Sequence, residues 1–233
     1  MSKTLIITGL LLILTAASSN AQKIKGAILA GTNLTQVDGD EVYGFNRTGW
    51  NFGIAAMVPL GDNFYFTLEN NFNQKGAYQK TQYEQFVGDS LVRTGEYDLR
   101  LTYVEIPAMI QYNDKDIITA GLGMAYSRLV DTEEIEHSGL AEPYSKEKAF
   151  NKDDILGFVD VQFRVYQRFY FNFRYSYSFK PIRERYYDPQ YDTSDDTWTR
   201  KQYNNALSFR LMYRFNENPD KQSKPESKNN QSF

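Results

Sequence analysis

The 233-residue chain has no cysteine and one histidine, His137. Without cysteine there can be no disulfide, no thiolate metal site, no thiol nucleophile and no lipid-modified cysteine of the bacterial lipoprotein kind. A lone imidazole can act as a base. Here it sits among Glu133, Glu134, Glu136 and Glu142, and spacing assembles no nucleophile, base and orienting group around it. The net charge of −3 is too small to suggest nucleic acid as a partner or a polybasic membrane patch. A helical membrane span is missing too: the apolar run Leu5 to Leu14 falls well short of the roughly 20 residues needed to cross a bilayer.

That run follows Lys3 and precedes Ser19-Asn20-Ala21, a small-x-small site, so residues 1–21 read as a cleaved secretory signal peptide. Aromatic residues are plentiful, at 15% with 18 Tyr and 16 Phe. Their placement is the informative part. From Phe169 to Phe179 every second residue is Phe or Tyr, and Asn172, Arg174, Ser176 and Ser178 lie between them. Period 2 means a strand with two unlike faces.

Six other stretches alternate in the same way: Trp50 to Leu60, Phe64 to Asn73, Val104 to Tyr112, Ile118 to Ser127, Ile155 to Val165 and Tyr203 to Phe215; an eighth strand, Lys23 to Thr35, is small and apolar and ambiguous as to face. Asn70 interrupts the apolar face of the third strand in chain order without a reason visible in the sequence. Pro107 is tolerable in the fourth only at a bulge or an unpaired position. The connections run long, short, long, short, and four long ones would be out of place in a soluble domain. The predicted fold is all-β: an eight-stranded antiparallel transmembrane up-and-down β-barrel over residues 22–215, with short periplasmic turns and four long extracellular loops. Residues 216–233 read as a disordered polar periplasmic tail.

Eight strands enclose a lumen that side chains can fill. Glu69, Glu105, Asp160, Arg164, Arg174 and Arg210 are expected to form a structural ion-pair network there, because an enclosed charge needs a partner. Trp50, Tyr103, Tyr126, Tyr177 and Tyr203 toward the long loops, and Phe64, Tyr112, Phe169, Tyr213 and Phe215 toward the turns, are expected to form two interfacial girdles. Tyr186, Tyr187, Tyr191 and Trp198, interleaved with aspartates, are candidate loop contacts for a sugar or protein. Asp38-Gly39-Asp40-Glu41 has a calcium-loop flavour but lacks the next ligand and the closing glutamate. No metal, cofactor or catalytic residue is expected.

The segments GTNLTQVDGDEVYGFNRTGWNFG, LENNFNQKGAY, YVEIPAMIQY and GLGMAYSRL, in that order, resemble the PorT-like outer-membrane β-barrel family of Bacteroidetes. The resemblance runs from about Lys25 to Phe215. It implies outer-membrane lipid as surroundings, insertion by the barrel assembly machinery with LSFRLMYRF as the signal, and an envelope or secretion complex as partner. The expected function is that of a non-enzymatic membrane anchor whose loops bind a partner. The alternatives are an outer-membrane enzyme, or an exported lipocalin-like barrel holding a small apolar ligand.

Overall fold

The computed structural model describes residues 24–40, 42–87, 90–136, 150–187 and 198–216. The expected signal peptide, His137, Tyr191 and nearly all of the expected tail lie outside them. The described residues contain no α-helix.

The strands are β1 (Lys25–Asp38), β2 (Arg47–Pro59), β3 (Phe64–Gln79), β4 (Tyr83–Val87), β5 (Ser90–Thr94), β6 (Tyr97–Asp114), β7 (Ile118–Glu136), β8 (Asp153–Tyr166), β9 (Phe169–Ser178), β10 (Arg183–Tyr187) and β11 (Trp198–Phe215). Eight of them form one antiparallel sheet in the order β1-β2-β3-β6-β7-β8-β9-β11, and β11 pairs back onto β1 from Gly26↔Phe215 to Asp38↔Tyr203. That last pairing closes the barrel and removes the open edges a sheet would otherwise present.

The two faces follow from the alternation. Along β3 the burial pattern alternates strictly from Phe64 to Glu69, with Tyr65, Thr67 and Glu69 inward and Phe64, Phe66 and Leu68 outward. Along β9, Phe169, Phe171 and Tyr175 point outward while Tyr170, Asn172, Arg174, Ser176 and Ser178 are buried. A lipocalin-like ligand barrel would need the opposite arrangement, with its aromatic face turned into the lumen, and the structure excludes it. The tight turns sit at one end. Three residues, Lys115 to Ile117, join β6 to β7; Lys115 and Asp116 have φ of 50° and 57°, the Ile117 N–H donates to the Asp114 carbonyl at 3.0 Å, and Asn113 Oδ1 accepts the Asp116 backbone N–H at 2.9 Å.

Two expectations about the strands need correction. The segment 77–96 is not a plain loop: β3 runs on to Gln79, β4 and β5 form a hairpin of their own, and β6 starts at Tyr97. The segment 181–199 likewise contains β10, which pairs with Trp198–Gln202 of β11. Together with β7, which runs to Glu136, these strands carry the sheet beyond the aromatic rows at the long-loop end only. At the start of β6 the alternation is present but reversed, with Tyr97, Leu99, Leu101 and Tyr103 inward and Asp98 and Arg100 on the other face.

Pro107 explains one irregularity. The β3–β6 ladder passes from Leu68↔Ala108 to Asn71↔Glu105, skipping the positions where Glu69 and Asn70 lie opposite Pro107 and Ile106. A proline has no N–H to give, so the ladder opens there. A second irregularity lies between β6 and β7, where Thr102↔Asp131 and Tyr103↔Leu129 leave Val130 as the extra residue of a bulge. Beyond it the inward positions of β7 change parity, and this turns Glu134 toward the lumen.

Gly76 shows how tightly the extended end is built. Its φ is 142°, and a Cβ there would lie 1.9 Å from the Leu99 carbonyl oxygen. Gly76→Ala is expected to cost about 1–3 kcal/mol through backbone strain alone, read as a lower denaturant midpoint of the refolded barrel in detergent.

Candidate functional site

The lumen is filled in layers. Nearest the turns, Ala27, Leu29, Ala55, Met57, Tyr65, Tyr170 and Met212 pack together. The Arg214 guanidinium lies 3.6 Å from the centre of the Tyr170 ring, a cation–π contact, and Arg214 also donates to Gln162.

Above this layer lies a quartet of charges. Arg174 on β9 grips Glu69 on β3 with two parallel bonds of 3.0 and 2.9 Å, and its Nε donates to Asp160 on β8 at 2.9 Å. Arg210 on β11 bridges the same two carboxylates at 3.0 and 3.3 Å. Amides take the remaining lone pairs: Asn71 donates to Glu69, and Gln111, Gln162 and Asn172 donate to Asp160. The Arg174 guanidinium also lies 4.1 Å from the centre of the Phe158 ring. Two cations against two anions, each with further hydrogen bonds, is the arrangement in which enclosed charges can be held.

Of the six charges named from the sequence, four therefore meet in one cluster. Glu105 belongs to a different one. It takes Lys75 at 2.5 Å, Asn73 at 2.6 Å and Ser127 at 3.0 Å. Arg164 is corrected: it shares the inward parity but lies at the turn rim, half-buried, where its Nε donates to the Gln167 carbonyl and its guanidinium sits 6.0 Å from the Tyr170 ring. Lys75 continues the parity of Glu69, Asn71 and Asn73 beyond Asn73, where the sequence alternation ends the third strand, so sequence reasoning misses it. Asp154 was missed for the same reason one residue before Ile155. It accepts bonds from Ser178 at 2.6 Å and Asn204 at 3.1 Å.

The girdle residues Trp50, Phe64, Tyr112, Tyr126, Phe169 and Phe215 are exposed on the outer face, and Tyr177, Tyr203 and Tyr213 are half-buried there. At the turn end Phe64 meets Tyr112 at 5.2 Å, and Tyr213 meets both Phe169 at 5.0 Å and Phe215 at 5.2 Å. At the other end Tyr177 stacks on Tyr203 at 6.0 Å, and Tyr126 donates to Asp153 at 2.5 Å. Tyr103 is a correction: it has the parity of Glu105 and is completely buried, with its ring beneath Lys75 and its hydroxyl accepting from Asn204 at 3.1 Å. Of the loop contacts, Tyr186, Tyr187 and Trp198 lie in the β10–β11 hairpin, where Tyr187 pairs with Trp198.

The long-loop mouth is closed by a second apolar cluster, which sequence reasoning did not find. Val37, Ala77, Tyr97, Leu99, Leu101, Tyr103 and Ile182 are buried together, and Val42, Leu129 and Phe150 pack on them. Val42, Phe150 and Ile182 come from three different connections. Arg183 ties the same region by donating to both oxygens of Glu134 at 2.8 and 3.0 Å, to Gln202 at 2.7 Å and to the Tyr97 hydroxyl at 3.0 Å.

Asp40 is part of this closure. It is 7% exposed; one oxygen accepts the Val42 backbone N–H at 2.9 Å, and the other is buried without a partner. Burial pushes its pKa up to about 7, against the opposing pull of the Val42 N–H and of Arg183 and with a small push from Asp38; Tyr97 also lies within its electrostatic reach.

No family model matches this chain and no curated protein matches it. Solved structures similar to it include Ail, the attachment invasion locus protein of Yersinia pestis, in complex with the heparin analogue sucrose octasulfate, at 11% identity over 82% of this chain and 99% of that one, TM-score 0.40. Neisserial surface protein A matches at 10% identity over 82% and 96%, TM-score 0.42. A major outer membrane protein from Thermus thermophilus matches at 11% over 84% and 100%, TM-score 0.42. At these values the likeness carries no argument, and the barrel stands on its own strand register.

Two outcomes are expected. Arg174→Leu leaves a carboxylate uncompensated in the lumen and should cost about 3–5 kcal/mol, whereas Arg174→Leu combined with Glu69→Gln restores neutrality and should unfold closer to the native protein in denaturant. For Asp40, the folded pKa lies above the ordinary carboxylate value of 3.8. The folded mouth therefore binds the proton more tightly than an opened one, and its stability falls as pH rises from about 4 through about 7. Protease nicking between Gly39 and Asn46 should accordingly be slower at pH 5 than at pH 8, and Asp40→Asn should flatten that difference.

Proposed function

We propose that the chain is an integral outer-membrane β-barrel without enzymatic activity, an anchor that presents a partner-binding surface. The observation that carries this reading is the polarity of the closed sheet: apolar and aromatic residues cover the outside, while the lumen holds Glu69, Asp160, Arg174 and Arg210. In water that arrangement would expose most of the apolar surface and bury the charge, whereas in a bilayer both faces are satisfied. The aromatic rows at either end belong at the two lipid interfaces. The export signal expected at residues 1–21 points to the same compartment.

The filled lumen supports anchorage over transport. A solute would have to displace both the charge quartet and the apolar closure at the mouth. What projects from the membrane lies at one end, in the extended strands and the β4–β5 and β10–β11 hairpins. A cleft of about 660 Å³ opens there, lined among others by Tyr43, Asn46, Tyr78, Gln79 and Lys80. The exposed Tyr43 ring and the half-buried Tyr78 ring, beside amides and a cation, suit a polar partner. By its resemblance to the PorT-like family, that partner belongs to an envelope or secretion complex, and the barrel assembly machinery inserts the chain.

Envelope fractionation followed by electrophoresis with and without boiling tests the reading. The expected result is a band confined to the outer membrane that changes mobility on heating; release with the periplasmic contents sinks it. If an activity is found and survives His137→Ala, histidine chemistry is not its source.

A further inference from the structure

Between the two aromatic rows, Asn70 is an exposed polar side chain on the outside; Thr32, on the same outer parity, differs from it in donating its hydroxyl to the Gly49 carbonyl at 3.0 Å. It is exposed, with Leu68 and Phe72 along its strand, Ile54 paired across on β2 and Ile106 opposite on β6. Its amide bonds to no side chain or backbone group among the described residues. Phe64, in the turn-end row, is six residues below it, which places Asn70 near the middle of an apolar band about 25 Å tall. Lipid offers an amide neither donor nor acceptor.

Two further features coincide with it. The β3–β6 ladder is interrupted at this point by Pro107. Just below, Leu68 is flanked on the outer face by Ala56 and Ala108, so the surface beside the amide is low enough for another wall to come close.

We propose that a second copy of this chain docks on the β2–β3–β6 wall, amide to amide at Asn70. This rests on the membrane-spanning reading above. A carboxamide is donor and acceptor at once, so it can pair reciprocally with its own copy, which is what a two-fold interface demands. All copies insert in one orientation, and a two-fold axis along the membrane normal brings the two Asn70 side chains to the same depth. A partner of different sequence would need its own polar group at that depth; a second copy has one by construction of the symmetry.

The absence of native cysteine makes the test direct. Leu68→Cys, next to the axis, should give a disulfide-linked product of twice the chain mass when isolated membranes are oxidised with copper phenanthroline. Phe173→Cys, on the opposite wall β9, should not. Adding Asn70→Leu to Leu68→Cys should lower the linked fraction about fivefold or more. Light scattering of the detergent-solubilised, cysteine-free protein should show a dimer for the native chain and a monomer for Asn70→Leu. The proposal is overturned if the native chain is a monomer, if Asn70→Leu changes neither readout, if Phe173→Cys links equally well, or if the linked product has another mass. A heat-modifiable band in the same membrane samples separates these outcomes from failure of the barrel reading itself, which would appear as protein missing from the membrane.

Discussion

The pairing of β1 with β11 is the constraint from which the rest follows. Once Gly26 to Asp38 are bonded to Tyr203 to Phe215, every wall has two neighbours and the circumference is fixed at eight strands. That circumference leaves a lumen too narrow for a water column beside ordinary side chains, and it must be filled. Closure also makes the outside independent of the inside. In lipid no hydrophobic force pulls apolar residues into a core, so they collect on the surface and the lumen is left to polar groups.

The charge quartet then sets the shape of what closure permits. Glu69 is on β3 and Arg174 on β9, four strands apart around the barrel, so their bidentate bond crosses the full lumen. Arg210 and Asp160 add links from β11 and β8 to the same point. A pair of this kind contributes little net stability, because each charge gives up its water. It contributes specificity. Slipping any of these strands by one residue would turn a charge onto the apolar outer face and an apolar side chain into the lumen, an error with no local repair.

The eight walls were legible in the sequence because each separates two different media, and the difference is written at every second residue. The same rule located Glu69, Asp160, Arg174 and Arg210, and applied without interruption it would have placed Tyr103 inside with Glu105 and carried β3 on to Lys75. What it could not reveal lies past the aromatic rows. Beyond the apolar band the two faces are no longer set apart by an apolar outside, and YEQFV (residues 83–87) and RERYY (residues 183–187) carry no alternation to read. The Val130 bulge hides Glu134 for another reason: an inserted residue reverses parity, and nothing in the local sequence announces it.

The two closures of the lumen differ in kind, and this difference bears on which can yield. The quartet lies at the height of the apolar outer band, on walls paired to neighbours on both sides; opening it would require two guanidinium groups to lose all their partners together. The mouth is closed by Val42, Phe150 and Ile182, single residues from three connections, resting on a ring of buried aliphatic and tyrosine side chains. Ile182 is held by its backbone to Gln202 and Asn151, whereas Val42 and Phe150 lie outside any ladder. One of the connections carries a carboxyl whose second oxygen is buried without a partner, so ionising it works against closure. Any conformational response of this barrel to its surroundings therefore belongs at the loop end, above a core that the charges hold in register.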